Sequence, residues 1–259
     1  MNTRLLLKIG GRAFADKSVY KELADDIKSL DAEVMILHGG GSEISEALKA
    51  ANRDTVFVDG VRVTQQEDVE IVEHVLSEVV NSRIAEYLSE YGIDCARMSG
   101  KSDALLVAQR TTRNGKDIGL VGEIVQVNPW IVLDAFNNNK IPIISPISAD
   151  EHGVTYNVNA DTAAAALASG AHCTDLVYFS DVPGVMDENN MALPTLSVDA
   201  GNFLIQTGII SGGMTAKMES IFNAVENGVQ RVHITQWQGP DTLKHVVNGK
   251  EIKKTTIHK

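Results

Sequence analysis

The chain has 259 residues, 44% of them hydrophobic and 22% charged, which is ordinary for a globular protein with a large buried core. Its formal net charge of −11 disfavours nucleic-acid binding, because the phosphate backbone would be repelled. Cys95 and Cys173 are isolated, which is typical of a reducing compartment and not of a metal site. No apolar run reaches membrane-spanning length, so we expect a cytoplasmic protein that binds neither nucleic acid nor a membrane.

Short apolar strands alternate with amphipathic helices in the first part of the chain. The predicted strands and hairpins cover residues 5–9, 34–38, 56–64, 94–127 and 141–145. The hairpin prediction at 56–64 depends on Asp59-Gly60, a favoured two-residue turn. The first two strands each end at glycines, and a helix is predicted after each of them.

A long helix is predicted over residues 66–91, because apolar side chains recur there at steps of three and four. They are Val69, Val72, Val75, Leu76, Val79, Val80, Ile84 and Leu88. Such an apolar stripe faces either the protein core or a second subunit, and the sequence leaves both interpretations open.

The second part of the chain repeats the alternation. Helices are predicted at 161–168, 198–206 and 214–227, strands at 175–180 and 231–235, and a last helix after them. Apolar strands alternating with helices predict an α/β fold, a three-layer αβα sandwich around a central, mostly parallel sheet. In the absence of a low-complexity linker, we expect two lobes, residues 1–170 and 171–259, that share one continuous sheet.

Three glycine clusters, at residues 10–11, 39–41 and 212–213, are predicted to lie where the chain enters helices. Ligands of parallel α/β folds bind beyond the carboxyl ends of the strands, and glycine lets the backbone approach an anion there. The clusters favour a polyphosphate site, although ordinary turns would also use glycine. The chain has no Walker, dinucleotide-binding or protein-kinase motif, so the site is of another type.

Two lysines accompany these glycines. Lys8 ends an apolar strand just before Gly10, and Lys217 lies one turn inside the helix after Gly212-Gly213. Each lysine alone could be a surface residue. Together they predict a two-cation clamp for a phosphoryl group in transfer, a reaction that depends on positioning and charge stabilisation.

These segments, in this order, resemble the amino-acid kinase family, and most closely its acetylglutamate kinases. The resemblance extends over nearly the whole chain, through residues 8–11, 38–41, 60–64, 119–129, 157–161, 180–187 and 212–217. It implies the amino-acid kinase fold and ATP-dependent phosphorylation of the side-chain carboxylate of N-acetyl-L-glutamate, a step of arginine biosynthesis. It also implies that the first lobe binds the amino-acid substrate and forms the dimer contact, and that the second binds ATP.

The resemblance also assigns roles to individual residues. Lys8 and Lys217 would stabilise the transferring phosphoryl group, and Asp161 would orient both lysines. The path of the phosphoryl group would be lined by Gly10 and Gly11, and the substrate would be bound by Gly40, Gly41, Arg62 and Asn157. ATP would be bound by Asp181, Val182, Pro183, Gly184, Val185, Met186, Ile209, Ile210 and Ser211, with Mg²⁺ carried by ATP and not by protein ligands.

The residue types suit these roles. A carboxylate nucleophile is already ionised at neutral pH, so the reaction needs no general base. Arginine suits bidentate capture of a substrate carboxylate, as implied for Arg62. Plain structural roles remain open for the same residues: a hairpin arginine at Arg62, a turn residue at Asn157 and a helix N-cap at Asp161.

Other functions stay open at this point. A sister kinase would act on aminoadipate, glutamate, aspartate or a nucleoside monophosphate, and a non-catalytic member of the fold would sense an amino acid or a nucleotide. The two lysines and Asp161 argue against a sensor, because a non-catalytic protein does not need residues that assist phosphoryl transfer. Arginine-inhibited members of the family form hexamers through an extra N-terminal helix, and only residues 1–4 precede the first strand here. We therefore expect a homodimer that arginine does not inhibit, formed through the apolar stripe at 69–88.

Overall fold

An eight-stranded sheet forms the centre of the computed structural model, which describes residues 3–10, 14, 16–250 and 252–259. The strands are β1 (Arg4–Ile9), β2 (Glu33–His38), β3 (Phe57–Val58), β4 (Val61–Arg62), β5 (Cys95–Ser99), β6 (Leu106–Arg113), β7 (Lys116–Val127), β8 (Ile141–Ser145), β9 (Ser148–Ala149), β10 (Thr155–Val158), β11 (Asp175–Phe179), β12 (Thr195–Ser197), β13 (Arg231–Thr235) and β14 (Lys254–His258). The helices are α1 (Lys17–Lys28), α2 (Gly41–Ala50), α3 (Val69–His74), α4 (Asn81–Glu90), α5 (Trp130–Asn137), α6 (Ala160–Gly170), α7 (Val198–Gln206), α8 (Gly213–Glu226) and α9 (Thr242–Val247).

The central sheet has the strand order β12-β14-β13-β11-β1-β2-β8-β5, and β13 and β14 are its one antiparallel pair of neighbours within the described chain. The predicted α/β class and the mostly parallel sheet are therefore confirmed. No helix in the described part of the chain combines the length and apolar character needed to cross a lipid bilayer.

The sheet separates two hydrophobic cores, which makes the fold three-layered. Side chains alternate along β1, so Leu6 packs in the core that contains α6 and α8. Leu5 and Leu7 point to the other face and pack in the core that contains α1, α3 and α4. All three leucines are fully buried, as expected for a parallel strand covered on both sides.

Four of the remaining strands form a small closed barrel beside the main sheet, in the order β10-β7-β6-β9. The β-rich stretch predicted at 94–127 thus divides, because β5 joins the central sheet whereas β6 and β7 join the barrel. The predicted hairpin at 56–64 is also present as β3 and β4. Its turn residues Asp59 and Gly60 have φ angles of 47° and 80°, as the primed turns of tight hairpins require.

The predicted long helix is present as α3 and α4, joined without a break by a π-helical segment, Val75–Val80. Most of its apolar stripe lies in the core of the subunit: Val72 and Leu88 are fully buried, while Val79 is exposed. The expectation that the stripe forms a dimer contact is therefore wrong for its buried side chains, and only Val79 among the stripe residues is exposed. The buried side chains already pack against β2, β8 and the neighbouring helices, which removes them from the surface.

The end of the chain differs from the sequence prediction. A strand, β14, follows α9 and pairs with β13 on one side and β12 on the other. Neither β12 nor β14 was predicted, because both are short and contain few apolar residues. Pairing with β13 satisfies the backbone of β14, a long-range interaction that local periodicity does not report.

Candidate active site

Lys8, Asp161 and Lys217 meet at one edge of the central sheet. The Asp161 carboxylate lies between the two ammonium groups, with Oδ1 2.9 Å from Lys8 Nζ and Oδ2 2.6 Å from Lys217 Nζ. The three side chains retain 15%, 19% and 13% of their exposure, respectively, so the cluster is largely buried but open on one side. Two cations and one anion leave a net positive charge, which favours a phosphoryl group there.

Three different elements hold these side chains. Lys8 lies near the carboxyl end of β1, where it is in register with Tyr178 of the adjacent β11. Asp161 lies in the first turn of α6, and the Asn159 side chain caps this helix by accepting the N–H of Asp161 at 2.8 Å. Lys217 lies in the second turn of α8. The cluster therefore sits where ligands bind in open α/β sheets.

The electrostatics of the cluster keep Asp161 ionised. Burial disfavours its charged form, but Lys8 and Lys217 outweigh burial and lower the pKa of this carboxyl to about 2. Burial lowers the pKa of Lys217; Asp161 opposes this shift, whereas Lys8 adds to it. Asp161 is therefore the counter-ion that allows two ammonium groups to share one site.

Tyr178 contacts both Asp161 and Lys217. The sequence analysis missed this residue. Its hydroxyl donates to the main-chain oxygen of Asp161 at 2.8 Å, and Lys217 Nζ lies 4.9 Å from the centre of its ring. Both contacts restrict the positions of the charged groups. In the sequence Tyr178 is one apolar residue within a buried strand, and nothing local distinguishes it.

A cavity of about 260 Å³ adjoins Lys8. Its described lining residues are Lys8, Gly39, Gly40, Gly41, Ile44, Phe57, Gly60, Val61, Arg62, Leu76, Val121, Pro146, Asn157, Val158, Asn159 and Ala160. The structure thus brings four of the predicted substrate-binding residues, Gly40, Gly41, Arg62 and Asn157, to the same space as Lys8. None of the described lining residues is an aspartate or a glutamate.

Arg62 is held rigidly at the wall of this cavity. Its guanidinium donates to the Gly41 main-chain oxygen and the Ser45 hydroxyl, each at 2.8 Å, and to the Thr55 hydroxyl at 3.3 Å. It also stacks on Phe57, with 4.7 Å between the guanidinium carbon and the ring centre. Sequence analysis missed Ser45, Thr55 and Phe57. Only the position of Ser45, one turn after Gly41 on α2, could have suggested its proximity to the glycine loop.

The other predicted residues around the cavity have defined positions as well. The Asn157 side chain donates to the Thr64 hydroxyl at 2.9 Å, and no described residue donates to its amide oxygen, which can accept from a ligand. Gly10 follows β1, and a Cβ there would lie 3.6 Å from Lys8 Nζ. Gly11 lies outside the described residues.

The two segments predicted to bind ATP lie apart from this cavity. Residues 181–186 follow β11, and residues 209–211 precede α8, the helix that carries Lys217. Val185 and Ile210 are buried in the core, so their side chains are not available to a ligand. Neither segment lines the 260 Å³ cavity or the neighbouring cavity of about 860 Å³ between β7, α6 and α8.

Asp161→Asn is expected to destabilise the protein by about 2 kcal/mol near neutral pH, because the lowered pKa means that the ionised carboxylate favours the folded state. This stabilisation is present above the ordinary pKa of 3.8 and is lost as the pH falls through the folded value of about 2. Urea unfolding of both proteins at about pH 5 and about pH 3 should show the difference shrink by about 1 kcal/mol.

The matched control for that experiment is Asp25→Asn, which removes an exposed carboxylate paired with Lys21. It should change the stability little at either pH, because exposed ion pairs contribute little. A stability difference between the wild type and Asp161→Asn that does not change with pH would contradict the expected role of the Asp161 charge.

Comparison with known proteins agrees with this geometry. The amino acid kinase family matches residues 3–236. Acetylglutamate kinases of Rhodospirillum centenum and Clostridium kluyveri are 36% and 33% identical, over 92% and 98% of this chain and 83% and 92% of those proteins. The crystal structure of smu.665 from Streptococcus mutans is 26% identical, with a TM-score of 0.79 and 98% of both chains covered. The chain therefore belongs to the amino-acid kinase family, among its acetylglutamate kinases.

Proposed function

We propose that the chain transfers the γ-phosphoryl group of ATP, supplied with Mg²⁺, to the side-chain carboxylate of N-acetyl-L-glutamate. The product is N-acetyl-L-glutamyl 5-phosphate, and the reaction is a step of arginine biosynthesis. The observation that carries this proposal is the Asp161 carboxylate held between Lys8 and Lys217 beside a cavity walled by Arg62. The acetylglutamate kinases among its relatives support the same activity.

The chemistry requires charge stabilisation and little else from the protein. A substrate carboxylate oxygen attacks the γ-phosphorus, and the bond from that phosphorus to the bridging oxygen breaks, so that ADP leaves. The nucleophile is ionised at neutral pH, and no proton has to be removed. Lys8 and Lys217 then offset the negative charge on the transferring group, while Asp161 keeps both ammonium groups in place.

The lining of the 260 Å³ cavity favours an acylated amino acid. A free α-ammonium group needs a carboxylate or several acceptors when it is buried, and no described lining residue is acidic. Apolar side chains such as Ile44, Leu76 and Val121 provide a surface for an acetyl group instead. Arg62 provides a partner for the α-carboxylate. These features favour N-acetylglutamate over glutamate or aspartate.

The remaining roles follow the same scheme. We propose that Gly10 and Gly11 line the path of the phosphoryl group, and that residues 181–186 and 209–211 bind ATP largely through their backbone. Burial of Val185 and Ile210 supports this backbone mode. In this scheme residues 1–170 bind the amino acid and residues 171–259 bind the nucleotide.

Trapping of the acyl phosphate with hydroxylamine tests the function. Incubation with MgATP and N-acetyl-L-glutamate should give a hydroxamate and an equal amount of ADP, and omission of Mg²⁺ should abolish both. Parallel reactions with glutamate, aspartate, aminoadipate and UMP define the substrate. A higher rate with any of these compounds would overturn the assignment of N-acetylglutamate, and absence of turnover with all of them would favour a sensor.

Arg62→Lys should act mainly on substrate binding. We expect the KM for N-acetyl-L-glutamate to rise about tenfold or more with little change in kcat, because an ammonium group cannot reproduce the planar donor set that Arg62 presents. Steady-state kinetics at saturating ATP measures this change. The control is Arg110→Lys, an exposed arginine paired with Asp117. A fall in kcat at unchanged KM would contradict a binding role for Arg62.

We also propose a cytoplasmic homodimer. The surface that supports it is the edge of the sheet at β5, where the outer backbone groups can pair with a second copy. The long helix beside this edge exposes Val79, and Arg97 of β5 donates to the Ser77 main-chain oxygen at 2.9 Å. Light scattering measures the assembly, and a monomeric or hexameric mass would contradict the proposal.

A further inference from the structure

His38 is a buried histidine next to the cavity to which the proposed reaction assigns no task. It is the last residue of β2, immediately before the glycine loop 39–41, and it is fully buried. Both ring nitrogens have partners. Nδ1 lies 2.9 Å from the Gly39 main-chain oxygen, and Nε2 lies 3.1 Å from the Asn81 side-chain nitrogen.

These partners determine the tautomer of His38. A carbonyl oxygen only accepts hydrogen bonds, so Nδ1 carries the proton and donates to Gly39. Nε2 is then the acceptor for the Asn81 amide. The orientation of that amide is set independently, because its nitrogen donates to the Ile143 main-chain oxygen at 2.9 Å and its oxygen accepts from Arg97 Nε at 3.1 Å.

The environment keeps the imidazole neutral, as this arrangement requires. Burial lowers the pKa of His38 to about 4; its hydrogen bond to Gly39 and the charge of Glu43 oppose this shift, while Arg83 and Lys8 add to it. Asn81 is itself buried, at the point where the π-helical segment 75–80 meets α4. The link from Asn81 through His38 to Gly39 thus consists of neutral, fully paired groups.

The hydrogen bond to Gly39 has a consequence for Gly40. The Gly39 C=O and the Gly40 N–H belong to one planar trans peptide unit and point in opposite directions. Fixing the carbonyl at His38 therefore fixes the direction of the Gly40 N–H. No acceptor among the described residues takes this N–H, and Gly40 lines the cavity together with Lys8.

The position of Gly40 is fixed separately from its orientation. A Cβ at Gly40 would lie 2.8 Å from Leu76 Cδ2 and 3.2 Å from Val80 Cγ2, so the glycine packs directly on the π-helical segment. Packing alone leaves the peptide plane free to rotate, since glycine has wide backbone freedom. A donor at the carbonyl removes that freedom.

We infer that His38 is a positioning residue, whose Nδ1–H holds the Gly39–Gly40 peptide so that the Gly40 N–H is directed at the phosphoryl group in transfer. The inference rests on the proposed phosphoryl transfer. It adds to that function a neutral histidine that acts through the backbone and does not touch the substrate. Asn81 is the residue that sets its tautomer.

A pair of substitutions separates this role from simple filling of the core. Asparagine places its amide nitrogen near the position of Nδ1, whereas glutamine places its amide near the position of Nε2. His38→Asn therefore retains a donor for Gly39, and His38→Gln loses it. We expect His38→Asn to keep kcat within about threefold of the wild type and His38→Gln to lose about tenfold or more, with a smaller change in KM.

His233 provides the matched control. It is a buried histidine with partners at both nitrogens, Asp175 and Thr256, and it lies on β13 outside the cavity. His233→Asn and His233→Gln should lower the unfolding temperature and leave kcat unchanged. Equal kcat values for the two His38 variants, whether both normal or both reduced, would overturn the inference. An inactive wild type would instead refute the proposed function.

A second measurement does not depend on the folding of any variant. Long-range ¹H–¹⁵N NMR of the ¹⁵N-histidine-labelled wild type distinguishes the two neutral tautomers and the imidazolium. We expect His38 as the neutral Nδ1–H tautomer at neutral pH. The Nε2–H tautomer would overturn the inference, because Gly39 would then have no donor from His38, and an imidazolium would overturn the assignment of a neutral link.

Discussion

Lys8→Ala and Lys217→Ala should each reduce kcat by about a hundredfold or more, the usual loss when a preorganised charge is removed from a transition state. Each ammonium group is held by its own ion pair to the Asp161 carboxylate, at 2.9 Å for Lys8 and 2.6 Å for Lys217. We therefore expect that the remaining lysine does not move to replace the one that is removed. A coupled enzyme assay for ADP, at saturating concentrations of both substrates, measures kcat directly.

The control for the lysine variants is Lys21→Ala, which removes an exposed lysine paired with Asp25 on α1. It should leave kcat unchanged. Thermal unfolding of all three variants shows whether any loss of activity reflects unfolding. A folded Lys8 or Lys217 variant that loses tenfold or less in kcat would be incompatible with the two-cation clamp.

Gly119→Ala should destabilise the protein by about 3 kcal/mol or more, since two unfavourable terms add. Gly119 has a φ of +78°, and a Cβ there would lie 2.1 Å from the Thr64 main-chain oxygen. That oxygen accepts the Leu120 N–H at 2.7 Å, and the Thr64 N–H donates to the Ile118 main-chain oxygen at 3.1 Å; these two hydrogen bonds join β7 to the segment after Arg62. Urea unfolding measures the loss, and the KM for N-acetyl-L-glutamate should rise as the Arg62 hairpin shifts.

Gly115→Ala separates backbone strain from the steric clash. Gly115 has a similar φ of +71°, but a Cβ there would meet no atom within 4 Å. This control should cost about 1 kcal/mol, the contribution of the left-handed backbone alone. Equal losses for the two alanine variants would contradict the importance of the contact between Gly119 and Thr64.

The fold class and part of the candidate site could be predicted from residues that are close in the sequence. Strand β1, Lys8 and Gly10 are consecutive or nearly so, and their order alone places a cation and a flexible turn at a strand end. The Asp59-Gly60 turn of the Arg62 hairpin is also a local property, because both residues tolerate positive φ. Lys217 was likewise paired with Lys8 because it follows a glycine pair at the start of a helix, whereas the role of Asp161 came from a resemblance and not from local pattern.

Contacts between distant segments were beyond local prediction. Tyr178 beneath Lys217, and Ser45 and Thr55 around Arg62, were missed because each is an ordinary residue for its strand, helix or loop. The short strand β14 was missed because its stability derives from pairing with β13.

By itself, the sequence determined the alternation of strands and helices, the glycine turns and the lysine at the end of the first strand. These features are local, because side-chain periodicity and the hydrogen bonds of helices and turns involve residues that are close in the sequence. Only the tertiary structure decided that the stripe at 69–88 faces the core. It also decided that Asp161 stands between Lys8 and Lys217 and that His38 lies between Asn81 and Gly39. These outcomes depend on which faces pack together and which buried polar groups find partners, and both are settled when the whole chain folds.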